Sequence, residues 1–262
     1  KTSASSTMVG RDGAEAIASA CKPPGQVATL ILPADTAWNG GGVIGSVPKI
    51  PPPEEVEDSK VENAAEFIRG TDETLILLGA DALMENSLKT VAKIQAKTGV
   101  QILAEGMNAR VQRGAGRLSV ERIPYPVPQA LEILRNFRQI LLVGASTPVG
   151  FFAYPDLPSQ LTPEGCRVET LASPGQDCVG ALEKLASAVN ASNIQPVLKT
   201  LDKPQKPIGP LSVDNIAAAI GALIPENAII VDESITTGRN FFSYTSGALP
   251  HDWLQNCGGS IG

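Results

Sequence analysis

The sequence predicts an α/β protein whose central part is a parallel sheet with helices on both faces. Three observations predict it. Apolar runs of strand length, at residues 74–78, 100–103, 140–143 and 168–171, alternate with stretches whose apolar residues recur at helical spacing. Two of those runs end in a glycine, Gly79 and Gly144, the residue a sharp turn out of a strand favours. The alternation holds over residues 60–190, and a βα rhythm of that length is the pattern of parallel strands joined by right-handed helical crossovers.

The elements follow in chain order. Residues 13–21 read as a short helix with Asp12 as its N-cap. Pro23-Pro24-Gly25 turns into residues 27–32, read as a buried strand of a sheet whose other strands lie outside this chain. Residues 39–59, with Gly40-Gly41-Gly42 and Pro51-Pro52-Pro53 before an acidic run, read as a linker. Within 60–190, helices are expected at 61–69, along the stripe Met84, Leu88, Val91 and Ile94, at 128–135, and along Val179, Leu182, Leu185 and Val189. Residues 191–210, with Pro196, Pro204, Pro207 and Pro210, read as a second linker. Ser212 then caps a helix with the stripe Ile216, Ile220 and Leu223, and 228–231 reads as a short buried strand.

Composition narrows the function classes. Of 262 residues, 43% are hydrophobic and 18% charged, a soluble globular balance. Aromatics are only 4%, so Leu, Ile, Val and Ala must build the core. A net charge of −6 argues against nucleic acid as a partner, because phosphate binding needs a basic face. Neither an apolar run of membrane-spanning length nor a signal peptide is present in the sequence. Cys21, Cys166, Cys178 and Cys257 form no CxxC pair, and one histidine is too few for the usual zinc sites. Reduced thiols in a cytoplasmic protein are the expectation.

Three stretches carry candidate chemistry. After the strand at 228–231 come Asp232-Glu233-Ser234-Ile235-Thr236-Thr237-Gly238. In an open α/β sheet the crevice beyond a strand's carboxyl end is where ligands bind. Hydroxyls there, with the N–H groups of a helix start, suit an anion such as a diphosphate, while the same residues also suit a plain helix N-cap. The glycine-rich turn Gly258-Gly259-Ser260-Ile261-Gly262 would let backbone approach a ligand closely. The loop containing Arg110, Arg113, Gly114, Gly116 and Arg117 could grip a phosphate or carboxylate, or be a solvated loop or subunit contact. Gly144 marks one of two strand ends that could hold a nucleotide, although neither completes G-x-G-x-x-G. His251 reads either as a group near the site or as a surface or hydrogen-bonded structural histidine.

Taken together, residues 25–35 (GQVATLILPAD), Asp232–Gly238, the closing GGSIG, and RGAGR at 113–117, ERIPY at 121–125, FFAYP at 151–155 and PHDW at 250–253 resemble one family. It is the thiamine diphosphate enzymes of the acetolactate synthase and benzoylformate decarboxylase group, and within it the large-subunit-like acetolactate synthases. The resemblance covers essentially the whole chain and implies an internal fragment. Residues 1–38 would be the end of a pyrimidine-binding domain, 60–190 a Rossmann-like middle domain of the DHS-like NAD/FAD-binding type, and 211–262 the start of a diphosphate-binding domain.

The resemblance also implies roles. Glu233, Ser234, Ile235 and Thr236 would meet the diphosphate, Ile235 through its backbone. Gly259, Ser260 and Ile261 would lie along the cofactor, Ile261 as the bulky residue that bends it. Magnesium would be held by residues beyond Gly262, and the activating glutamate would precede Lys1. FAD is a further candidate cofactor on the middle domain, with Arg110, Arg113 and Gly144 as nucleotide-binding residues. The implied reaction is carboligation of a small 2-oxo acid after decarboxylation, in a homodimer or homotetramer. A simple decarboxylase using histidines, or a non-catalytic FAD- or ADP-binding module, are the alternatives. By itself this chain is expected to have no turnover.

Overall fold

The structure, a computed structural model, describes residues 1–69, 73–234 and 236–255. No helix among them is long and apolar enough to cross a membrane. The chain divides into two units, the first comprising residues 1–55 with 175–177 and the second 56–174 with 178–262.

In the first unit a 3-10 turn, Ser6–Met8, leads into α1 (Val9–Cys21), and a short α2 spans Ala34–Trp38. Two expectations need correction here. Helix α1 begins well before residue 13, so Asp12 sits inside its first turn and is not the cap. There the carboxylate is covered, accepts a hydrogen bond from Ser3 Oγ at 2.8 Å, and pairs with Lys1 Nζ at 2.8 Å. Hydrogen bonds from Lys1 and then Ser3 hold its carboxyl below the usual range. Residues 27–32 are extended but are not a buried strand, since Val27 is 94% exposed. The backbone there pairs with the chain start, through Ser3 N–H to Ile31 O at 3.0 Å, Ile31 N–H to Lys1 O at 2.9 Å and the Lys1 amino terminus to Thr29 O at 3.0 Å. Among the described residues no second strand lies beside it to cover a face.

The second unit carries the α/β core. Its five-stranded parallel sheet runs β4-β2-β1-β5-β6, from β1 (Thr74–Leu78), β2 (Gln101–Ala104), β4 (Glu121–Arg122), β5 (Gln139–Val143) and β6 (Arg167–Ala172). All five residues of β1 are buried, as a central parallel strand covered on both faces must be. The run at 74–78 is therefore a strand over the expected residues, and the other three predicted strands fall within one residue of their expected ends.

Alternate β1 residues enter two separate cores. Ile76 and Leu78 pack with α3 (Asp58–Phe67), α4 (Glu85–Thr98) and α6 (Cys178–Ala188); Leu75 and Leu77 pack with α5 (Val127–Leu134). Of the expected stripe, Leu88, Val91 and Ile94 of α4 are buried while Met84 precedes the helix and is half-buried, and the helix ends at Gly99 in the left-handed conformation, φ 78°, as helix C-termini commonly do.

A second, three-stranded sheet runs β3-β8-β7, from β3 (Arg110–Arg113), β8 (His251–Gln255) and β7 (Ala228–Asp232). Strand β8 is antiparallel to β3 and parallel to β7. Thus residues 110–113, expected as a loop, are a strand whose partner lies some 140 residues away in sequence, Arg110 facing Leu254 and Arg113 facing His251. Helix α7 (Val213–Leu223) begins as expected, with Ser212 Oγ accepting from Asn215 N–H at 3.1 Å. Its buried residues are Ala217 and Gly221, whereas the predicted stripe residue Leu223 is exposed. Strand β7 forms where expected but is not buried. It is an edge strand, and Ile229 and Val231 on one face are exposed, with no described element covering them.

Candidate functional site

The carboxyl end of β7 makes a tight side-chain turn. Asp232 Oδ1 accepts from Ser234 N–H at 2.9 Å and also from Ser234 Oγ, the short-range pattern by which aspartate closes a turn. Glu233, Ser234 and Thr236 are exposed beyond the end of the strand, while Asp232 is half-buried. Gly238 folds back on this turn, and a Cβ there would overlap Ser234 Oγ. Four-residue α8 (Phe241–Tyr244) follows. Ile235, and with it Gly259, Ser260 and Ile261, lies outside the described residues.

Arg122, at the end of β4, reaches the same region and was not singled out by sequence reasoning. It donates to Gln255 Oε1 at the end of β8, and its guanidinium lies 5.2 Å from the Phe242 ring centroid. Burial lowers the Arg122 pKa, opposed by attraction to Asp232 and then Glu121. Gln255 in turn donates to Gly106 O at 3.1 Å. The ends of β4, β7 and β8 therefore meet, and bring one cation near an acid and two hydroxyl-bearing residues. The only sequence signal for Arg122 was the ERIPY string, which by itself assigns no role.

The predicted arginines are placed differently. Arg113 is buried, with its guanidinium 3.4 Å from the centroid of the Phe242 ring, 5.4 Å from that of Trp253, and donating to Thr245 Oγ1 at 3.1 Å and to Phe242 O. Burial brings its pKa down to about 9, still charged at neutral pH. Arg117 donates to Glu85 at 2.9 Å and 3.1 Å and to the carbonyls of Arg113 and His251. Lys89 and then Arg117 hold the Glu85 carboxyl below its usual range. Arg110 pairs with Asp252 at 2.6 Å. These side chains tie β3 to β8 and α4.

His251 is a core residue. Its Nδ1 lies 2.7 Å from Leu249 O and therefore carries the proton, which leaves the buried Nε2 with no hydrogen-bond partner. Burial above all, with Arg113 and Arg117 nearby, lowers its pKa. In the unfolded chain the ring takes a proton near pH 6.5, so below that pH the unfolded state binds more protons and stability falls as pH falls. Melting curves are expected to show stability falling as the pH is lowered through about 6.5, a loss absent in His251→Asn. A parallel decline in the variant would assign the loss to other groups.

Gly79 and Gly144 end the neighbouring strands β1 and β5. Between these strands the sheet order reverses direction, the switch point at which open α/β sheets bind ligands. Gly144 has φ 65°, and a Cβ on either glycine would stand 2.4 Å from the other's carbonyl oxygen. Beside them lies a cavity of about 270 Å³ lined by Glu105, Ile123, Tyr125, Ser146, Thr147 and Phe151, among others. Neither Arg110 nor Arg113 lines it.

Among the described residues no three His, Cys, Asp or Glu side chains cluster as metal ligands. Among the described residues Cys21, Cys166 and Cys178 form no disulfide, and Cys178 is buried.

No family model matches the chain. Over 254 residues it is 40% identical to a Mycobacterium tuberculosis protein provisionally named acetolactate synthase large subunit IlvX, covering 97% of this chain and 48% of that protein. The chain thus spans about half the length of the curated relative it matches. A solved structure of a provisionally named thiamin diphosphate-dependent enzyme from Mycobacterium smegmatis superposes with TM-score 0.69 at 16% identity, covering all of this chain and 53% of the other. A Rhodococcus jostii RHA1 thiamine diphosphate-dependent 4-hydroxybenzoylformate decarboxylase gives 0.68 at 17% identity, over 97% of this chain and 51% of its own. The chain is a relative of a large-subunit-like acetolactate synthase and has the α/β fold of thiamine diphosphate-dependent enzymes.

Proposed function

From this kinship and this fold, we propose that the chain is part of a thiamine diphosphate- and magnesium-dependent 2-oxo acid enzyme that, like an acetolactate synthase, joins a decarboxylated 2-oxo acid to a second carbonyl. The observation that carries the reading is the turn at the end of β7, where Asp232 fixes Ser234 and leaves the side chains of Glu233, Ser234 and Thr236 exposed. Exposed hydroxyls beyond a strand's carboxyl end fit a diphosphate. The acid pair Asp232-Glu233 would repel it unless a divalent cation shares the charge, and in the proposal that cation is magnesium held by residues beyond Gly262.

Thiamine diphosphate, when bound, supplies the electron sink that decarboxylation of a 2-oxo acid requires. Thr236 would donate to the anionic end of the cofactor, and Ser234 would do so once its single hydroxyl proton turns away from Asp232. Arg122 would offset the local negative charge, and Gly238 would keep the turn tight enough for the hydroxyls to stay together. The chain's single histidine is buried and held by Leu249 O, so it supplies no imidazole for a histidine-dependent simple decarboxylation. That observation counts against a histidine-using decarboxylase only for the part of the protein this chain supplies. A dimer or tetramer is the proposed state of the whole protein.

The residues present do not fit FAD at the switch point. The cavity there has no Lys or Arg in its lining to meet a diphosphate, and it carries Glu105 instead.

The test uses the whole encoded protein with pyruvate or benzoylformate, thiamine diphosphate and magnesium. Acetolactate from pyruvate is the expected product. Ser234→Ala with Thr236→Val is expected to raise the thiamine diphosphate needed for half-maximal activity by at least about tenfold, from two lost hydrogen bonds to a charged group. An unchanged cofactor requirement would remove these residues from the site, and no response to thiamine diphosphate at all would end the catalytic reading. This chain purified by itself is expected to make no acetolactate; turnover by it would refute the view that the site is only partly supplied here.

A further inference from the structure

The switch-point cavity has a character of its own, and its reading stands whether or not the thiamine diphosphate reading does. Its lining is mainly apolar, with Leu77, Ile123, Tyr125 and Phe151 among the walls, and Tyr125 and Phe151 packed with ring centroids 5.8 Å apart. On this wall stands one carboxyl group, that of Glu105, the residue that follows β2. Its backbone N–H donates to Leu78 O at 2.9 Å, which fixes it against the end of β1. Its side chain lies over Gly79, where a Cβ would stand 2.6 Å from Oε1. The backbone N–H of Ser146 faces the carboxylate.

Among the described residues no lysine or arginine comes within ion-pair distance of Glu105. Burial pushes its carboxyl pKa up, opposed by the Ser146 N–H. A half-buried carboxylate without a cation is costly in an apolar surround, and it is relieved by a positive ligand. Aromatic ring faces also attract cations. An anionic group would instead meet like charge with no basic residue to receive it. The volume, about 270 Å³, falls just below the usual range for drug-sized ligands, roughly 300–1,000 Å³, and suits a single ring rather than a dinucleotide.

We propose that this cavity binds a small organic cation, a primary amine carried on one aromatic or aliphatic body, with the ammonium on Glu105 and the body against Tyr125 and Phe151.

The experiment measures binding to the whole protein by calorimetry, using 2-phenylethylamine, its neutral analogue 2-phenylethanol, adenosine and ADP as probes. The amine is expected to bind at least about tenfold more tightly than the alcohol, the size of one charge-assisted hydrogen bond. Glu105→Gln, which keeps the shape and an acceptor for Ser146, is expected to abolish that difference and to melt at a higher temperature than the wild type when empty. Tyr125→Leu is expected to weaken amine and alcohol alike. Equal binding of amine and alcohol, binding of neither, an amine preference that survives Glu105→Gln, or tighter binding of adenosine or ADP than of the amine would each overturn the proposal. The last result would mark a nucleotide site.

Discussion

Trp253→Ala is expected to destabilise the protein by about 3–5 kcal/mol, the range for emptying a buried aromatic site. Trp253 is fully buried in β8, and it belongs to the same core cluster as Ile76 and Leu78 of β1. Its ring meets Phe242 edge-on at 6.0 Å and lies 5.4 Å from the Arg113 guanidinium. Removing it opens a cavity and also strips a ring face from a buried cation, so the loss should fall in the upper part of that range. Urea denaturation followed by circular dichroism measures it. The structure makes a further demand on the result. If residues 211–255 fold as one piece with the five-stranded sheet, the whole second unit should lose stability in a single transition. Two transitions, with the sheet core unshifted, would show that β8 folds independently of it. A loss below about 1 kcal/mol would place Trp253 outside the core altogether.

The two sheets differ in how far the sequence revealed them, and the reason is the range over which each strand is specified. Thr74–Leu78 is a local signal: five consecutive residues with no exposed face, closed by a glycine. Parallel strands covered on both sides read that way wherever they occur. Residues 110–113 carry no such signal. Arg-Val-Gln-Arg is a strand only because 251–255 lies beside it, and its charged residues are stable there because Asp252 receives Arg110 and the Phe242 and Trp253 rings receive Arg113. Pairing across so long an interval leaves no trace in a local window. Residues 27–32 and 228–232 show the opposite failure. Both are apolar enough to suggest burial, yet Val27, Ile229 and Val231 are exposed, because burial depends on a neighbour that pattern alone does not supply.

The candidate site follows the same division. The sequence singles out Asp232–Gly238 because its acids and hydroxyls are contiguous, but it does not foretell the side-chain turn that Asp232 closes on Ser234. Arg122 and Glu105 are not singled out, since each gains meaning only from what the fold sets opposite it: Gln255 and Asp232 for the first, and Gly79 and an aromatic wall for the second. Ile235, Gly259, Ser260 and Ile261 lie outside the described residues, and their roles in the cofactor reading remain proposals.

Gly144→Ala is expected to cost about 3 kcal/mol or more, a large effect for adding one methyl group. Two penalties combine. Gly144 has φ 65°, a conformation in which an L side chain is disfavoured by roughly 1–2 kcal/mol. The new Cβ would also stand 2.4 Å from Gly79 O and 3.1 Å from Cys178 Sγ. Gly79 O is backbone, and on one side Gly79 N–H is fixed to Val143 O at 3.0 Å while Gly144 N–H is fixed to Ala172 O at 2.8 Å. Neither strand end can move without giving up a ladder bond, so relief must come from shifting β1 against β5, at the centre of the sheet. Gly79→Ala is the control that separates the two penalties, because Gly79 is extended, φ −147°, and suffers only the contact, 2.4 Å from Gly144 O. A Cβ there would also meet Glu105 Oε1 at 2.6 Å, but that is the end of a flexible side chain that can turn aside, so Gly79→Ala should lose less than Gly144→Ala, by about the conformational term. Thermal melts of the two variants measure that gap. Equal losses would assign the whole effect to the contact between the strand ends, and negligible losses in both would mean that the ends of β1 and β5 stand further apart than this geometry requires.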